Sequence, residues 1–260
     1  MFSGVVDLAD GVTYWRLWLA LAWEDIKTVY RRSIFGVAWI TLSFLAFIVV
    51  KILIFRPFMS GGNAHYFTVY VTLGFLVWQF LQQLVTSAPT VFLQAESWIK
   101  SDPLPFSLYI FQSITRALFN FMMTSVVAII ILILYQPSIT PTALLVLPAL
   151  ALTILNGIWV YLLLGIICTR HRDITHLIQT CMRFMFFLSP ILWYPESMGP
   201  LADYLWWNPF WHFLWIFRAP LIDNDPALVS WIFCGVVTVV GWSAALVVFS
   251  LYRKRLVFWF

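Results

Sequence analysis

Three stretches of this chain are longer than a membrane-spanning helix needs and contain no Asp, Glu, Lys or Arg. They cover residues 57–95, 117–169 and 226–252. A helix that crosses the hydrocarbon core of a bilayer needs about 20 mostly apolar residues. A soluble domain ordinarily carries roughly 25% charged residues, whereas this chain has 10%. The sequence therefore predicts a fold that has lipid as its solvent.

Helices are the predicted form of these stretches, because the apolar runs are continuous and an open sheet would leave backbone groups unsatisfied in lipid. Proline, glycine and charged residues divide the sequence into six predicted spans. These spans cover residues 34–55, 66–88, 106–135, 142–168, 175–195 and 228–251. The predicted fold class is all-α, with an N-terminal segment of residues 1–33 and a six-helix membrane domain of residues 34–260.

Basic residues gather on one side of this predicted topology. That side carries Arg16, Lys27, Arg31, Arg32, Lys100, Arg170, Arg172, Arg253, Lys254 and Arg255. The other side carries Arg56, Arg218, an uncharged turn at 136–141 and the acidic residues of segment 196–225. Since cytoplasmic flanks of membrane helices are enriched in Lys and Arg, we expect the basic side and both termini to be cytoplasmic.

Two segments outside the predicted spans are nevertheless rich in aromatic residues. Between residues 15 and 30, apolar and aromatic side chains recur at helical spacing opposite a charged face, which predicts a helix lying in the membrane surface. It could form a collar around a cytoplasmic opening or serve as a plain anchor. Segment 196–225 is interrupted by Pro200, Pro209 and Pro220, so we expect a short helical hairpin that enters the outer leaflet without crossing it.

The sequence offers no energy source of its own for transport. It has no GxxxxGK[ST] motif for a nucleotide phosphate, and all its acidic residues fall in loops or interfacial segments instead of the bilayer midplane. A pump built on this chain would need a separate ATPase. Two basic-side loops are candidate docking sites for such a partner, although solvated connectors would look similar. Their candidate residues are Glu96, Trp98, Lys100, Asp102, Arg170, Arg172 and Asp173.

Four short motifs carry a resemblance to a known family. They are YRRSIFGVAW at 30–39, RHRDI at 170–174, FLSPILWYP at 187–195, and NPF at 208–210 followed by Arg218. In their order and spacing the chain resembles the permease subunit of polysaccharide exporters of the ABC type-2 family, especially O-antigen exporters. The resemblance covers nearly the whole length.

The resemblance implies a bacterial inner-membrane homodimer that works with two copies of a cytoplasmic ABC ATPase. ATP and Mg²⁺ would bind to that partner, and no cofactor, metal or nucleic acid would bind to this chain. The two basic-side loops would act as coupling helices. The outer hairpin would form an exit gate from Trp206, Trp207, Phe210 and Trp211. The implied cargo is a glycan polymer on a polyprenyl diphosphate lipid.

Aromatic residues within the predicted spans agree with a glycan cargo, because sugar rings stack their C–H faces on aromatic rings. The candidates for the path are Phe35, Trp39, Trp78, Phe184 and Phe187; lipid contact or helix packing would explain the same residues. Arg183 falls within a predicted span, where a charge is expensive and marks a functional site by default. It could bind the lipid diphosphate, or it could snorkel to the membrane surface.

Other functions remain open at this point. A membrane enzyme acting on polyprenyl-linked sugars would also need aromatic sugar contacts, but it should show an acidic cluster or a His-Asp pair on a polar loop. A non-catalytic scaffold would bind its partners without ATP dependence. Within the exporter class, capsule, teichoic acid and drug export are the alternatives. The three cysteines lack the spacing of a metal site.

Overall fold

The computed structural model describes residues 2–55, 64–135 and 140–259, and within these ranges all regular structure is helical. This confirms the predicted all-α class. Arg56 and residues 136–139 of the predicted turn lie outside the described residues. The helices are α1 (Phe2–Thr13), α2 (Trp15–Val29), α3 (Ala38–Phe55), α4 (Ala64–Ser87), α5 (Val91–Gln94), α6 (Glu96–Ser101), α7 (Phe106–Tyr135), α8 (Val146–Arg170), α9 (Asp173–Leu188), α10 (Pro209–Ile222) and α11 (Leu228–Tyr252).

Among the described residues, 5 helical stretches are long and apolar enough to cross a membrane. They are Ala38–Phe55, Ala64–Ser101, Phe106–Tyr135, Pro141–Arg170 and Leu228–Tyr252. These stretches match the predicted spans except the fifth, and they support a multi-pass membrane protein. The first begins later than predicted, because residues 34–37 form turns with a left-handed Gly36 (φ 54°).

The span predicted at 175–195 is not confirmed, because the helix in this region ends earlier. Helix α9 has 16 residues and is therefore about 24 Å long, shorter than a hydrocarbon core of about 30 Å. It ends at Leu188, and Ser189 adopts an extended conformation (φ −99°, ψ 139°). The cause is Pro190, whose ring disfavours helical backbone at the preceding residue.

Helix α4 forms the centre of the molecule. The most apolar part of this span is 78% buried within the protein, whereas the corresponding parts of α3 and α11 are 11% and 22% buried. It packs against α7, α10, α8, α9 and α3. The helices run back and forth, so the molecule has two ends. We call the end that carries α1, α2, α6 and the α8–α9 turn the basic end, and the end that carries residues 195–222 the hairpin end.

The two predicted aromatic segments are helical. Helix α2 packs against α7 and buries Ala22 and Ile26, while Trp15 and Trp23 stay about half exposed. At the hairpin end, two short 3₁₀ turns within Pro195–Trp207 meet at Gly199, which has a positive φ of 55°, and α10 follows. Whether these two segments lie in or on a membrane stays a prediction.

Candidate functional site

The first predicted docking loop is a single exposed turn of helix at the basic end. In α6, Lys100 Nζ lies 2.6 Å from Glu96 Oε1, and the Trp98 side chain is 51% exposed. The helix ends at Ser101, and Asp102 is extended (φ −128°, ψ 135°) because Pro103 follows it. A partner could therefore reach an aromatic ring flanked by charges of both signs.

The second predicted docking loop is the tight turn between α8 and α9. Arg170, Arg172 and Asp173 are all exposed, and the Arg170 guanidinium lies 5.3 Å from the centre of the Trp259 ring. Asp173 occupies the first turn of α9, where a negative charge is favoured by the helix dipole. The turn thus presents basic residues directly before a helix that leads toward the hairpin end.

A close packing contact joins the two docking loops through the protein. A methyl group added at Gly165 of α8 would lie 2.7 Å from Phe92 and 3.0 Å from Val91, both on α5. Helix α5 comes directly before α6. Glycine at this position therefore lets the backbone of α8 approach α5, the helix that precedes the first loop. The packing of α5 against α8 thus holds the two loops in a fixed relation.

An acidic residue that the sequence analysis did not single out fixes the segment after α6. Asp7 of α1 is fully buried. Its carboxylate accepts hydrogen bonds from the backbone N–H groups of Phe106 (3.1 Å) and Ser107 (2.9 Å), and it lies 2.7 Å from Arg253 Nη2. The first N–H groups of a helix have no partner within it. Asp7 supplies that partner for α7 from a distant part of the chain.

The residues predicted for a glycan path fall into two groups. Phe35 and Trp39 are about half exposed, with ring centres 5.3 Å apart, and Phe184 and Phe187 are 63% and 72% exposed on α9. Trp78 differs, since it is only 2% exposed. Its ring packs against Phe186 and Phe210 of α9 and α10, at 5.7 and 5.6 Å between centres, so it supports the wall of any path from behind.

Arg183 projects from the same little-buried helix. Within the described chain, Met182 is the one residue of α9 that is fully buried. The Arg183 side chain is exposed, and none of the ion pairs between described residues includes it. An exposed, unpaired guanidinium is suited to bidentate binding of phosphate oxygens.

The four residues predicted for an outer gate do not all lie together. Trp206 and Trp211 stack edge to face at 5.5 Å, and Trp207 is 83% exposed. Phe210 instead points inward to Trp78. Asn208 sets this geometry: its side-chain oxygen caps α10 by accepting from Phe210 N (3.0 Å), and its amide nitrogen donates to Ser189 Oγ (3.0 Å).

The hairpin end also holds a buried arginine. Arg218 is 1% exposed; its Nη1 donates to the Pro190 carbonyl oxygen (2.8 Å), and its guanidinium carbon lies 3.6 Å from the centre of the Tyr70 ring. Its Nε and Nη2 have no hydrogen-bond partner among the described residues. The hydroxyl of Tyr70 is shared between the same carbonyl oxygen (3.1 Å) and that of Trp193 (3.0 Å). The sequence analysis placed Arg218 in the outer hairpin but did not predict its burial.

Arg218, Asn208 and Tyr70 all bind the chain where α9 ends. Asn208 contacts Leu188 and Ser189, and the other two residues bind Pro190. Helix α9 is therefore attached at its far end to the hairpin, while its near end is the second docking loop. Helix α9 thus connects the turn after α8 directly to the hairpin end, and along its length it packs against α4 and α8.

These features define a multi-pass helical membrane protein with exposed, charged loops at one end and an aromatic hairpin at the other. The sequence profile of the ABC-2 type transporter family matches residues 16–222, and the chain belongs to this family. Its members are permease subunits, not enzymes, and they work with an ABC ATPase subunit.

Two curated relatives carry the name O-antigen export system permease protein RfbA, both from Klebsiella pneumoniae. One is 21% identical over 236 residues, covering 89% of this chain and 88% of the relative. The other is 25% identical over 180 residues, covering 68% of each chain. Identities this low support the assignment to export permeases but do not identify the transported molecule.

Proposed function

We propose that this protein is the membrane subunit of an ATP-driven exporter that moves lipid-linked polysaccharide, such as O-antigen, across the bacterial inner membrane. The observation that carries the proposal is the similarity to O-antigen export permeases over 89% of the chain. The chemistry of the helices agrees with it, because exposed aromatic rings on α3 and α9 suit the C–H faces of sugars.

In this proposal two copies of the chain form a homodimer, and the exposed faces of α3 and α9 contribute to a path between them. The basic end is cytoplasmic, in agreement with the excess of Lys and Arg there. Two copies of the partner ATPase hold ATP and Mg²⁺ and dock on the two loops of the basic end. The polyprenyl diphosphate lipid of the cargo meets Arg183.

The test of the cargo is depletion of the protein in its host, followed by measurement of lipid-linked glycan on each face of the inner membrane. Finished polymer should accumulate on the cytoplasmic face. An unchanged distribution would refute polysaccharide export and leave another amphipathic cargo. Loss of polymer synthesis would favour a membrane enzyme. The chemical composition of the accumulated polymer would separate O-antigen from capsule or teichoic acid.

Charge reversal in either docking loop is expected to weaken binding of the ATPase. Asp102→Lys and Arg172→Glu each place a like charge against the partner, and such a juxtaposition should weaken binding about tenfold or more. Affinity measured with the purified ATPase in lipid nanodiscs gives the result. Asp10→Lys, on the exposed face of α1, is the control and should bind normally. Normal binding by both loop variants would refute the docking assignment.

Removal of the Arg183 charge is expected to weaken recognition of the lipid diphosphate. Arg183→Gln should raise the apparent KM for lipid-linked glycan in a reconstituted export assay about tenfold, because a hydrogen bond to a charged group contributes roughly 1.5–3 kcal/mol. Arg183→Lys keeps the charge, so its apparent KM should lie between the values of the wild-type protein and of Arg183→Gln. If the glutamine variant shows an unchanged KM, Arg183 only reaches the membrane surface and binds no diphosphate.

A further inference from the structure

A group of primary amides lies within the membrane-spanning helices α4 and α7. Helix α4 carries Gln79, Gln82 and Gln83, and α7 carries Asn120. An amide in hydrocarbon without a hydrogen-bond partner is costly. These side chains therefore need polar partners in the protein, in water or in a bound molecule.

Hydrogen bonds within the described chain satisfy only part of this group. Gln82 Oε1 accepts from Trp78 Nε1 (3.0 Å), and Gln83 Oε1 accepts weakly from Asn120 Nδ2 (3.3 Å). Gln79 is exposed and makes no side-chain hydrogen bond to any described residue. The amide nitrogens of Gln82 and Gln83 donate to none of these residues either. Donors and acceptors thus remain available on one side of α4.

All four amides line one cavity of about 660 Å³ between α3, α4, α7 and the end of α2. This volume lies within the range of roughly 300–1,000 Å³ that is typical of small-molecule sites. The cavity is also lined by Trp39 and by Phe47, whose side chains are 45% and 40% exposed. No charged residue belongs to its described lining.

The polar surface continues toward the basic end without offering a free charge. A neighbouring cavity of about 260 Å³ shares Gln83 and Asn120 and adds Asp25 and Arg116. These two charges neutralise each other across 3.3 Å. A third cavity carries the lining on to Trp98 of α6. A chain of polar cavities therefore leads from the first docking loop into the bundle.

We propose that the 660 Å³ cavity is a binding site, within each subunit, for uncharged sugar residues of the cargo. Amides pair with sugar hydroxyls as both donors and acceptors, and the rings of Trp39 and Phe47 offer faces for sugar C–H groups. A lipid tail would leave the amides unsatisfied. A diphosphate would find no cation in the described lining, because the Lys51 ammonium beside Phe47 lies against the rings of Phe47, Phe55 and Phe75. This inference rests on the proposed glycan cargo and assigns it a site within each subunit that shares Trp39 with the proposed path between subunits.

Cysteine labelling tests occupancy directly. Cys181 is exposed, whereas Cys168 and Cys234 are buried, so Cys181→Ser with Gln79→Cys places a single reactive thiol in the cavity. The purified complex with its ATPase, in nanodiscs, is treated with a small water-soluble methanethiosulfonate. The oligosaccharide released from the host's lipid-linked glycan should slow labelling at least about threefold. Asp10→Cys in the same background is the matched control and should label equally with and without it.

The outcomes separate sugar binding from other occupants. Protection by the oligosaccharide, without protection by sugar-free polyprenyl diphosphate, supports the proposal. Equal protection by the sugar-free lipid overturns it in favour of a lipid site. A thiol at position 79 that never reacts also overturns it, since the cavity would then be closed to water or covered by the second subunit.

The same site should affect transport. Gln79→Leu removes an amide that forms no hydrogen bond with the described protein, and it should slow glycan export about three- to tenfold, the value of one hydrogen bond. Ser243→Leu, on the exposed face of α11, should export normally.

If depletion of the protein traps glycan on the cytoplasmic face but Gln79→Leu exports normally and the thiol is unprotected, the cavity assignment alone fails. If depletion leaves glycan unchanged, the proposed cargo itself fails.

Discussion

Replacement of Arg218 by alanine is expected to reduce export at least about tenfold and to lower the thermal stability of the protein. The change removes the 2.8 Å hydrogen bond to the Pro190 carbonyl and the stacking on Tyr70. It also leaves a void in the tightly packed hairpin end. Large-to-small changes in a core cost about 2–5 kcal/mol.

A second variant distinguishes attachment of the hairpin from simple filling of space. Arg218→Met keeps most of the volume and removes a buried charge, and such a replacement is often neutral or stabilising for folding. We therefore expect its thermal midpoint in detergent to lie near the wild-type value, while export remains low because Pro190 has lost the arginine donor. Normal export by Arg218→Met would show that the guanidinium has no part in transport.

Tyr70→Phe provides the matched comparison on the other side of the same carbonyl. It removes the hydroxyl that donates to the carbonyl oxygens of Pro190 (3.1 Å) and Trp193 (3.0 Å) but keeps the ring against Arg218. Because Arg218 still binds the carbonyl, the expected loss of export is smaller than for Arg218→Met. This order of effects would identify Arg218 as the main attachment between the end of α9 and the hairpin.

The sequence predicted the parts of the fold that depend on local pattern. Continuous apolar runs predicted the long helices because a lipid environment permits few other structures. The end of α9 also has a local signal, because Pro190 disfavours helical backbone at Ser189. The predicted span nevertheless continued to residue 195, because the run 187–195 is apolar. The error came from giving hydrophobicity more weight than backbone geometry.

The candidate site was less predictable because it depends on contacts between distant segments. A topology count treats Arg218 only as one more basic residue on the outer side, yet its side chain is 1% exposed, whereas Asp223 nearby is exposed. The burial of Arg218 depends on Tyr70 and Pro190, which no local pattern connects to it. The surrounding protein partly desolvates the Asp223 carboxyl, which raises its pKa, and the hydrogen bond from Tyr66 opposes that rise. This network therefore also depends on the tertiary fold.

Asp7, at the basic end, also depends on contacts with distant residues that no local pattern predicts. Its loss is expected to lower the stability of the protein strongly. Asp7→Ala should lower the free energy of unfolding by about 3 kcal/mol, because it leaves Arg253 without this carboxylate and removes the acceptor for the first N–H groups of α7. Thermal unfolding in detergent, followed by tryptophan fluorescence, measures the change. Detachment of α1 should also expose it to limited proteolysis.

Matched variants separate the two roles of this carboxylate. Asp10→Ala, on the exposed face of the same helix, should change stability by no more than about 0.5 kcal/mol. Asp7→Asn keeps an oxygen that can accept from Ser107 N but removes the charge facing Arg253, so its loss should be intermediate. A double-mutant cycle with Arg253→Ala then gives the coupling between the charges. If Asp7→Ala and Asp10→Ala prove equally stable, the Asp7 carboxylate does not anchor α7.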